Sequence, residues 1–387
     1  MKLTYRYRSK NNKQIDKLTK ISKDLYNQAN YVVRQEFINN GKYLNYFEIN
    51  KIMKTTTNKE GTINYRLLPA QTSQQILKQL DKNWVSFFRA IKDWKKNKSK
   101  YRGRPSLPKY IRKDKHLLIF PNQSIILKNN RLKNRKFGIN IKLPQKDYKD
   151  FSNFLLVRII PKHSQYNVEI VYDEVIKNHN LDSNKYLSID LGINNLVTAI
   201  SNDKSIKPLI IDGKPLKAIN QLYNKKISKL KSIRTNGHNV QNKEEKKYFK
   251  QTKRIERLTM QRNDKINDYL HKTSNNIVKY AVANGIGTIC VGELYGLKTS
   301  IKLSKCQNQQ IVQIPLNTLK QKIKYKCELN GIQYKEVKEQ YTSLCDALAL
   351  ETIQKHKRYQ GKRIKRGLFQ SAIGKLINAD INGALNI

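Results

Sequence analysis

The stretch of sequence that decides the fold is YLSIDLG at residues 186–192, an apolar run that ends close to an acid, Asp190. Its composition predicts a short strand with the acid at the carboxyl end. Polar turn pairs at residues 194–195 and 202–203 divide the following sequence into two further apolar runs. Because Asn and Asp favour tight turns, we predict a three-stranded antiparallel meander.

A second apolar run, TICVGE at residues 288–293, predicts another strand and places Glu293 just beyond it. Before it, a very basic segment with apolar faces at helical spacing predicts a hairpin of helices at residues 215–284. A further helix and strand follow, and a final helix begins near Asp380. Three antiparallel strands followed by alternating helix and strand predict a ribonuclease H-like α/β domain over residues 184–387.

The first half of the chain has a different pattern. Residues 1–9 alternate between apolar and basic side chains, which predicts a strand that pairs with a downstream partner. Residues 10–112 contain two helical apolar stripes, the first ending at Gly41, and predict a helical lobe. Short strand-like runs separated by turn residues predict a small β-domain at residues 113–178. The expected fold class is therefore α+β multidomain.

The charge balance points to a polyanionic partner. The chain has 77 Lys and Arg residues against 29 Asp and Glu residues, a formal net charge of +48. Nucleic acid is favoured over membrane because no apolar run approaches the roughly 18 residues of a membrane span. The start of the sequence also lacks an apolar signal region, so we expect a protein of the bacterial cytoplasm or nucleoid.

The candidate chemistry lies in three acids, Asp190, Glu293 and Asp380. Any one of them has an ordinary explanation, and Asp380 in particular could be a helix N-cap. Their combination, at two strand ends and one helix start, predicts a metal site. Two metal ions about 3.5–4 Å apart can activate water and neutralise the leaving oxygen in phosphodiester hydrolysis. We therefore predict a nuclease that uses two ions of Mg²⁺, or Mn²⁺, per active site.

Three blocks carry a resemblance to a known family: SIDLGINNLVT at residues 188–198, YTS at 341–343 and NADINGALNI at 378–387. They resemble the signature blocks of TnpB, the RNA-guided nucleases of insertion-sequence transposons and relatives of type V CRISPR effectors. The resemblance is specific in the nuclease half and weaker before residue 115. It implies that the helical lobe is a recognition lobe, the β-domain a small β-barrel wedge, and the last domain a RuvC-like nuclease.

The resemblance also implies an activity and partners. Asp190, Glu293 and Asp380 match the family's catalytic and metal-binding acids. The partners would be a guide RNA from the transposon end and double-stranded target DNA, which a single nuclease domain would cut in both strands beside a short adjacent motif. We expect one protein monomer per guide RNA. A nuclease-inactive, RNA-guided DNA-binding repressor is the alternative; a transposase in its own right is weaker, because the six His residues form no cluster.

The chain departs from the family between YTS and the last acid, where many members carry a four-cysteine zinc knuckle. In this insert, residues 341–377, Cys345 is the one cysteine, followed by Asp346, Glu351 and His356. Those four side chains could form a mixed metal site, but their spacing matches no standard ligand pattern. We expect no zinc here.

A second departure concerns the residue before Asp380, where the family frequently has Arg and this chain has Asn378-Ala379. The basic run at residues 362–367 could act in its place, as a mobile lid at the active-site entrance, or it could be a solvated loop. Other candidate contacts are the basic run at 95–105 and polar residues near a helix start or a turn, each of which could equally be a solvated face, a cap or a turn residue. The candidate nucleic-acid-binding residues are Gln71, Thr72, Gln74, Gln75, Lys95, Lys96, Lys98, Lys100, Arg102, Arg104, Pro121, Asn122, Gln123, Lys362, Arg363, Lys365 and Arg366.

Overall fold

The computed structural model describes residues 1–10, 12–144, 151, 153–163, 165–234, 252–293, 305–365 and 367–387. The chain divides into two compact units, an N-terminal unit of residues 1–174 and a C-terminal unit of residues 175–387. Every helix within the described ranges is too short or too polar to cross a bilayer.

The N-terminal unit contains three α-helices in its described part: α1 (Lys13–Asn40), α2 (Tyr46–Met53) and α3 (Ala70–Lys96). The predicted stop of α1 is confirmed, since Gly41 adopts a left-handed φ of 65° that glycine tolerates without strain. The apolar stripe of α3 packs inward around Trp84, which is fully buried. The possibility that Thr72 is the N-cap of α3 is wrong, because α3 already begins at Ala70 and Thr72 is buried in its first turn.

Two sheets complete the N-terminal unit. The first has the order β1-β7-β6-β2, in which the N-terminal strand pairs with β7 from Lys2 opposite Asp173 to Ser9 opposite Tyr166. The second has three strands, β3-β4-β5. In the described part of the unit these sheets stay open, so the predicted barrel is not a closed one; closure requires the end strands to pair. The strands are β1 (Lys2–Ser9), β2 (Leu118–Pro121), β3 (Ile126–Lys128), β4 (Arg131–Asn134), β5 (Ile139–Lys142), β6 (Phe154–Lys162) and β7 (Gln165–Asp173).

The C-terminal unit is built on a five-stranded sheet of order β10-β9-β8-β11-β12. The predicted meander is confirmed, since β9 pairs antiparallel with both β8 and β10. In contrast, β11 runs parallel to β8 on one side and to β12 on the other. The strands are β8 (Asp182–Asp190), β9 (Asn195–Ser201), β10 (Leu209–Asp212), β11 (Ile286–Gly292) and β12 (Gln333–Val337).

Helices cover this sheet and bury its apolar side chains, with Ile189, Ile289 and Ile323 fully enclosed in the core. They are α4 (Lys214–Arg234), α5 (Lys253–Ala283), α6 (Lys305–Gln313) and α7 (Leu316–Leu329). The tip of the predicted hairpin, residues 235–251, lies outside the described residues. A three-stranded sheet of β13 (Lys362–Lys365), β14 (Leu368–Gln370) and β15 (Leu376–Asn378) leads into α8 (Ala379–Leu385).

Candidate active site

Two of the predicted acids lie at one edge of the five-stranded sheet. Strands β8 and β11 are parallel neighbours in which Ile189 faces Val291, so Asp190 and Glu293 follow at the same carboxyl edge. The backbone N–H of Glu293 donates to the carbonyl of Val337 at 2.7 Å, which anchors the residue just beyond β11. Rigid strand ends therefore position both side chains.

The third acid reaches the site from α8. The side-chain oxygen of Asn378 accepts a hydrogen bond from the N–H of Asp380 at 2.8 Å, so Asn378 is the N-cap. The cap explanation for Asp380 is thus wrong. Its carboxylate instead accepts a hydrogen bond from Asn195 Nδ2 at 2.8 Å, at the start of β9.

Asp380 and Asp190 come together because α8 packs closely on the end of β8. Gly383 allows the helix to approach closely, since a Cβ added at this position would lie 3.3 Å from Asp190 Oδ2. Burial, with the negative charge of Asp380 as the next cause, raises the pKa of Asp190 to about 6. A hydrogen bond from the backbone of Leu191 and the charge of Arg363 offset part of that rise. Two carboxylates held together in this way favour a bound cation.

The donor chemistry of the three acids suits a hard divalent ion. Carboxylate oxygens are the ligands that Mg²⁺ and Mn²⁺ prefer. Among the described residues, no group of three or more Asp, Glu, His or Cys side chains is arranged closely enough to hold a metal ion. The three acids thus supply suitable oxygen chemistry without a preformed set of metal ligands.

The basic run of the insert contributes one side chain to this site. Arg363, on β13, places a guanidinium nitrogen 4.0 Å from Asp380 Oδ1 while half of its side chain stays exposed. Lys362 and Lys365 are exposed on the same strand, and Arg366 lies outside the described residues. Arg363 thus supplies a cation beside Asp380, where the family frequently has an Arg just before the acid.

Two asparagines that the sequence analysis missed join α8 to the insert. The amide of buried Asn382 accepts from Ala347 N at 3.0 Å and donates to the carbonyl of Cys345 at 2.8 Å. One turn later, Asn386 donates to the carbonyls of Thr342 and Cys345, both at 2.8 Å. The signal was their spacing of four residues, which puts both amides on one helix face.

The acids of the insert, Asp346 and Glu351, accept hydrogen bonds from other groups of the insert. The buried carboxylate of Asp346 accepts four hydrogen bonds, from the N–H groups of Leu348, Ala349 and Ala372 and from the hydroxyl of Ser371. Burial tends to raise the pKa of Asp346, but these hydrogen bonds outweigh it and lower the pKa. Glu351 accepts from Asp346 N at 2.8 Å and from Gln360 N at 3.1 Å.

We expect this hydrogen-bonded acid pair, without zinc, to hold the insert together. Asp346→Ala should lower the free energy of unfolding of the C-terminal unit by about 3 kcal/mol, because it leaves buried donors unsatisfied. Denaturant unfolding measures the loss. Cys345→Ser is the comparison, since a thiol that only packs and donates weakly should matter less than the carboxylate.

Elemental analysis of the purified chain should find no stoichiometric zinc. A full equivalent that disappears in Cys345→Ser would contradict this prediction and restore the mixed metal site of Cys345, Asp346, Glu351 and His356.

In the N-terminal unit, the structure brings together two of the candidate polar residues. Gln71 Nε2, on α3, donates to Gln123 Oε1 in the turn after β2 at 2.6 Å. Thr72 is buried and faces away from solvent, while Gln74 and Gln75 are half-buried. Residues with exposed side chains are Lys95, Lys96, Lys98, Lys100, Arg102, Arg104, Asn122 and Gln123, and Pro121 is half-buried at the end of β2.

One member of the exposed basic group already has a partner. Lys100 Nζ lies 2.7 Å from Asp93 Oδ2, which also accepts a hydrogen bond from the Tyr101 hydroxyl. An ion pair this exposed contributes little to stability and is easily exchanged for a phosphate.

Comparisons with known proteins agree with this architecture. A family model described as a probable transposase, OrfB_IS605, matches residues 163–298, and one described as the Cas12f1-like TNB domain matches residues 317–387. A TnpB-like protein, ORF457 of Acidianus two-tailed virus, is 25% identical over 427 aligned positions, which cover 97% of this chain and 82% of that protein.

Solved structures show the same fold. The Cas12f1 chain of a Cas12f1–sgRNA–target DNA complex superposes with a TM-score of 0.58 at 15% identity, covering 96% of this chain and 81% of that one. The mini-RNA-guided endonuclease CRISPR-Cas_phi3 gives a TM-score of 0.52 at 10% identity, covering 100% and 92%.

The fold is therefore Cas12-like, with mixed α/β content and several sheets. The resemblance to TnpB drawn from the sequence blocks is confirmed, since the chain is similar to a TnpB-like protein and matches the two family models.

Proposed function

We propose that this protein is an RNA-guided, Mg²⁺-dependent endonuclease that cuts double-stranded DNA beside a short adjacent motif. The observation that carries the proposal is the meeting of Asp190 and Asp380, which are 190 residues apart, at the sheet edge where Glu293 also emerges. A fold that buries like charges against each other loses stability unless a cation compensates them.

Asp190, Glu293 and Asp380 would hold the metal, with Mn²⁺ as an alternative to Mg²⁺ and two ions in the full site. Bound there, the ions would make water more nucleophilic and neutralise charge on the phosphodiester. Asn195 keeps the Asp380 carboxylate oriented through its 2.8 Å hydrogen bond. Arg363, half exposed beside Asp380, would contact the DNA phosphate, since a guanidinium recognises phosphate oxygens in pairs.

The proposed function also assigns a role to each part of the chain. We assign residues 1–9 and 113–178 to a wedge, 10–112 to a recognition lobe, and 184–387 to a RuvC-like nuclease domain with the insert at 341–377. The boundary between the compact units, at residues 174 and 175, lies close to the end of the proposed wedge. Gln71 and Gln123, already in contact, are the best candidates for reading the adjacent motif.

Guide RNA and target DNA enter the proposal through the charge of the chain and through its relatives. A net charge of +48 gives the affinity for polyanions but no sequence selection. In the Cas12f1 complex the partners are an sgRNA and target DNA, and CRISPR-Cas_phi3 is an RNA-guided endonuclease. Base pairing with a guide would supply the missing selection, with one protein per RNA in the bacterial cytoplasm or nucleoid.

Sequencing the RNA that co-purifies with the protein tests this proposal. Expressed beside its own flanking DNA, the chain should retain one RNA of defined ends from the transposon end, and that complex should cut matched DNA only when Mg²⁺ or Mn²⁺ is present. Chelation should stop the reaction and fresh metal should restore it. Recovery of RNA fragments with random sequences, and cutting independent of them, would refute the guided function.

A further inference from the structure

A fourth acid, Glu339, belongs to the same sheet edge. Strand β12 runs parallel to β11, with Gly292 opposite Val337, and Glu339 follows two residues after β12 ends. Three neighbouring parallel strands, β8, β11 and β12, thus each lead into an acid at their carboxyl ends. Carboxyl ends of parallel strands meet at one edge, where α/β proteins place their ligands.

The Glu339 side chain is directed against the β11 backbone. A Cβ built on Gly292 would lie 1.7 Å from Glu339 Oε1 and 2.3 Å from its Cδ, so the carboxylate occupies space that only glycine leaves free. Gly292 immediately precedes Glu293. The contact therefore fixes Glu339 next to the segment that presents a predicted metal-binding acid.

One oxygen of this carboxylate is left without a protein donor. Glu339 Oε1 is buried and has no hydrogen-bond partner in the described part of the chain. Lys320 Nζ, whose charge acts on Glu339, donates instead to the Gly292 carbonyl at 3.2 Å and to Glu336 Oε2 at 2.7 Å. A buried acceptor with no donor costs free energy, and a cation would remove that cost.

The surroundings of Glu339 are also negatively charged. Burial, followed by the charges of Asp190 and Glu293, raises the pKa of Glu339 to about 7, and the charge of Lys320 offsets part of that rise. The charges of two of the acids at the sheet edge thus act on this carboxylate. A divalent ion among them would relieve the repulsion of all three.

We propose that Glu339 is a further metal-binding residue of the candidate active site and supplies an oxygen ligand to a divalent cation held with Asp190 and Glu293. The inference rests on the metal-dependent nuclease function proposed above. It adds a ligand from the segment just after β12, which is neither one of the three signature acids nor part of the insert.

The test compares Glu339→Gln with Glu328→Gln in complexes carrying the same RNA. Glu328 is exposed on α7, so the second variant makes the same chemical change away from the site. Calorimetric titration with Mn²⁺ should show affinity about tenfold weaker or more in Glu339→Gln, and wild-type affinity in Glu328→Gln. Cleavage of matched DNA should fall in parallel in the first variant, and recovery at high Mn²⁺ would show that the ligand is weakened.

If Glu339 had only a structural role, its replacement would lower stability even without metal. The metal-ligand proposal predicts a different result. The amide keeps the size of the side chain and removes a repelling charge, so metal-free Glu339→Gln should melt at or above the wild-type temperature. Its stabilisation by Mn²⁺ should be smaller than that of the wild type. Gly292→Ala, which keeps every acid but fills the space of Oε1, should weaken Mn²⁺ binding in the same direction.

Wild-type Mn²⁺ affinity and cleavage in Glu339→Gln would overturn the assignment, as would a wild-type complex with no saturable Mn²⁺ site. Because the titration contains no DNA, it separates this proposal from the guided function. A complex that binds Mn²⁺ through Glu339 but fails to cut matched DNA would leave the ligand in place and refute the nuclease.

Discussion

Asp190→Ala should abolish DNA cleavage while leaving guide and target binding close to wild type. We expect a loss on the order of 10³-fold or more in the cleavage rate, about 4 kcal/mol of transition-state stabilisation. The reason is that Asp190 stands between Asp380 and the strand carrying Glu293, so its loss removes a ligand central to the site. Binding should survive because many dispersed cations contribute to it.

The measurement is single-turnover cleavage of a matched duplex, beside a gel-shift or filter-binding assay of the same complexes. Asp268→Ala is the matched control: Asp268 is an exposed acid on α5 that pairs with Lys272, and its removal also adds one net positive charge. Glu293→Ala and Asp380→Ala should behave like Asp190→Ala.

Near wild-type cutting by Asp190→Ala would refute the site. A wild-type complex that binds matched DNA firmly and never cuts it would instead favour the RNA-guided repressor, for which the acids are not needed.

Much of the C-terminal sheet was predictable because its signals are local. The run ending at Asp190 and the turns after it determine strands and reversals within a few residues, and the meander formed as predicted. The acids Asp190 and Glu293 could be placed at strand ends for the same reason. Their meeting at one edge could be expected only from the parallel order of the ribonuclease H-like plan.

Other features depend on contacts that no local pattern carries. Asp380 lies at a helix start, where an acid is commonly the N-cap, but in the structure Asn378 is the cap. The Asp380 carboxylate instead accepts a hydrogen bond from Asn195, which is far away in sequence. Glu339 follows a short, half-exposed strand, and its burial comes from Gly292 on a neighbouring strand. Features that depend on distant partners in this way cannot be predicted from local sequence patterns and require the tertiary structure.

The insert illustrates the same limit. Its small strands are too short to be distinguished from loop by periodicity, and the sheet is held through Asp346 and through Asn382 on α8. From the sequence, Asp346 is a candidate metal ligand because acids, Cys and His lie near one another in this insert. The structure shows that carboxylate accepting four hydrogen bonds within the insert.

Guide RNA should both stabilise the protein and switch on specific cutting. A net charge of +48 makes the RNA-free chain repel itself, and a bound polyanion removes that repulsion. Binding at a free RNA concentration of 100 times Kd contributes about 2.7 kcal/mol, which for units of this size raises the melting temperature by about 5–10 °C.

A scrambled RNA of equal length and fold separates the two effects. Charge neutralisation does not depend on the guide segment, so an RNA with a scrambled guide should raise the melting temperature as much as the matched RNA does. Cutting of the target should follow base pairing alone and appear with the matched guide, because heteroduplex formation selects the site. Melting curves and cleavage assays at physiological salt test both statements on the same samples. Equal, site-specific cutting by the RNA-free protein would contradict the guided mechanism, since the chain itself would then have to read a long DNA sequence.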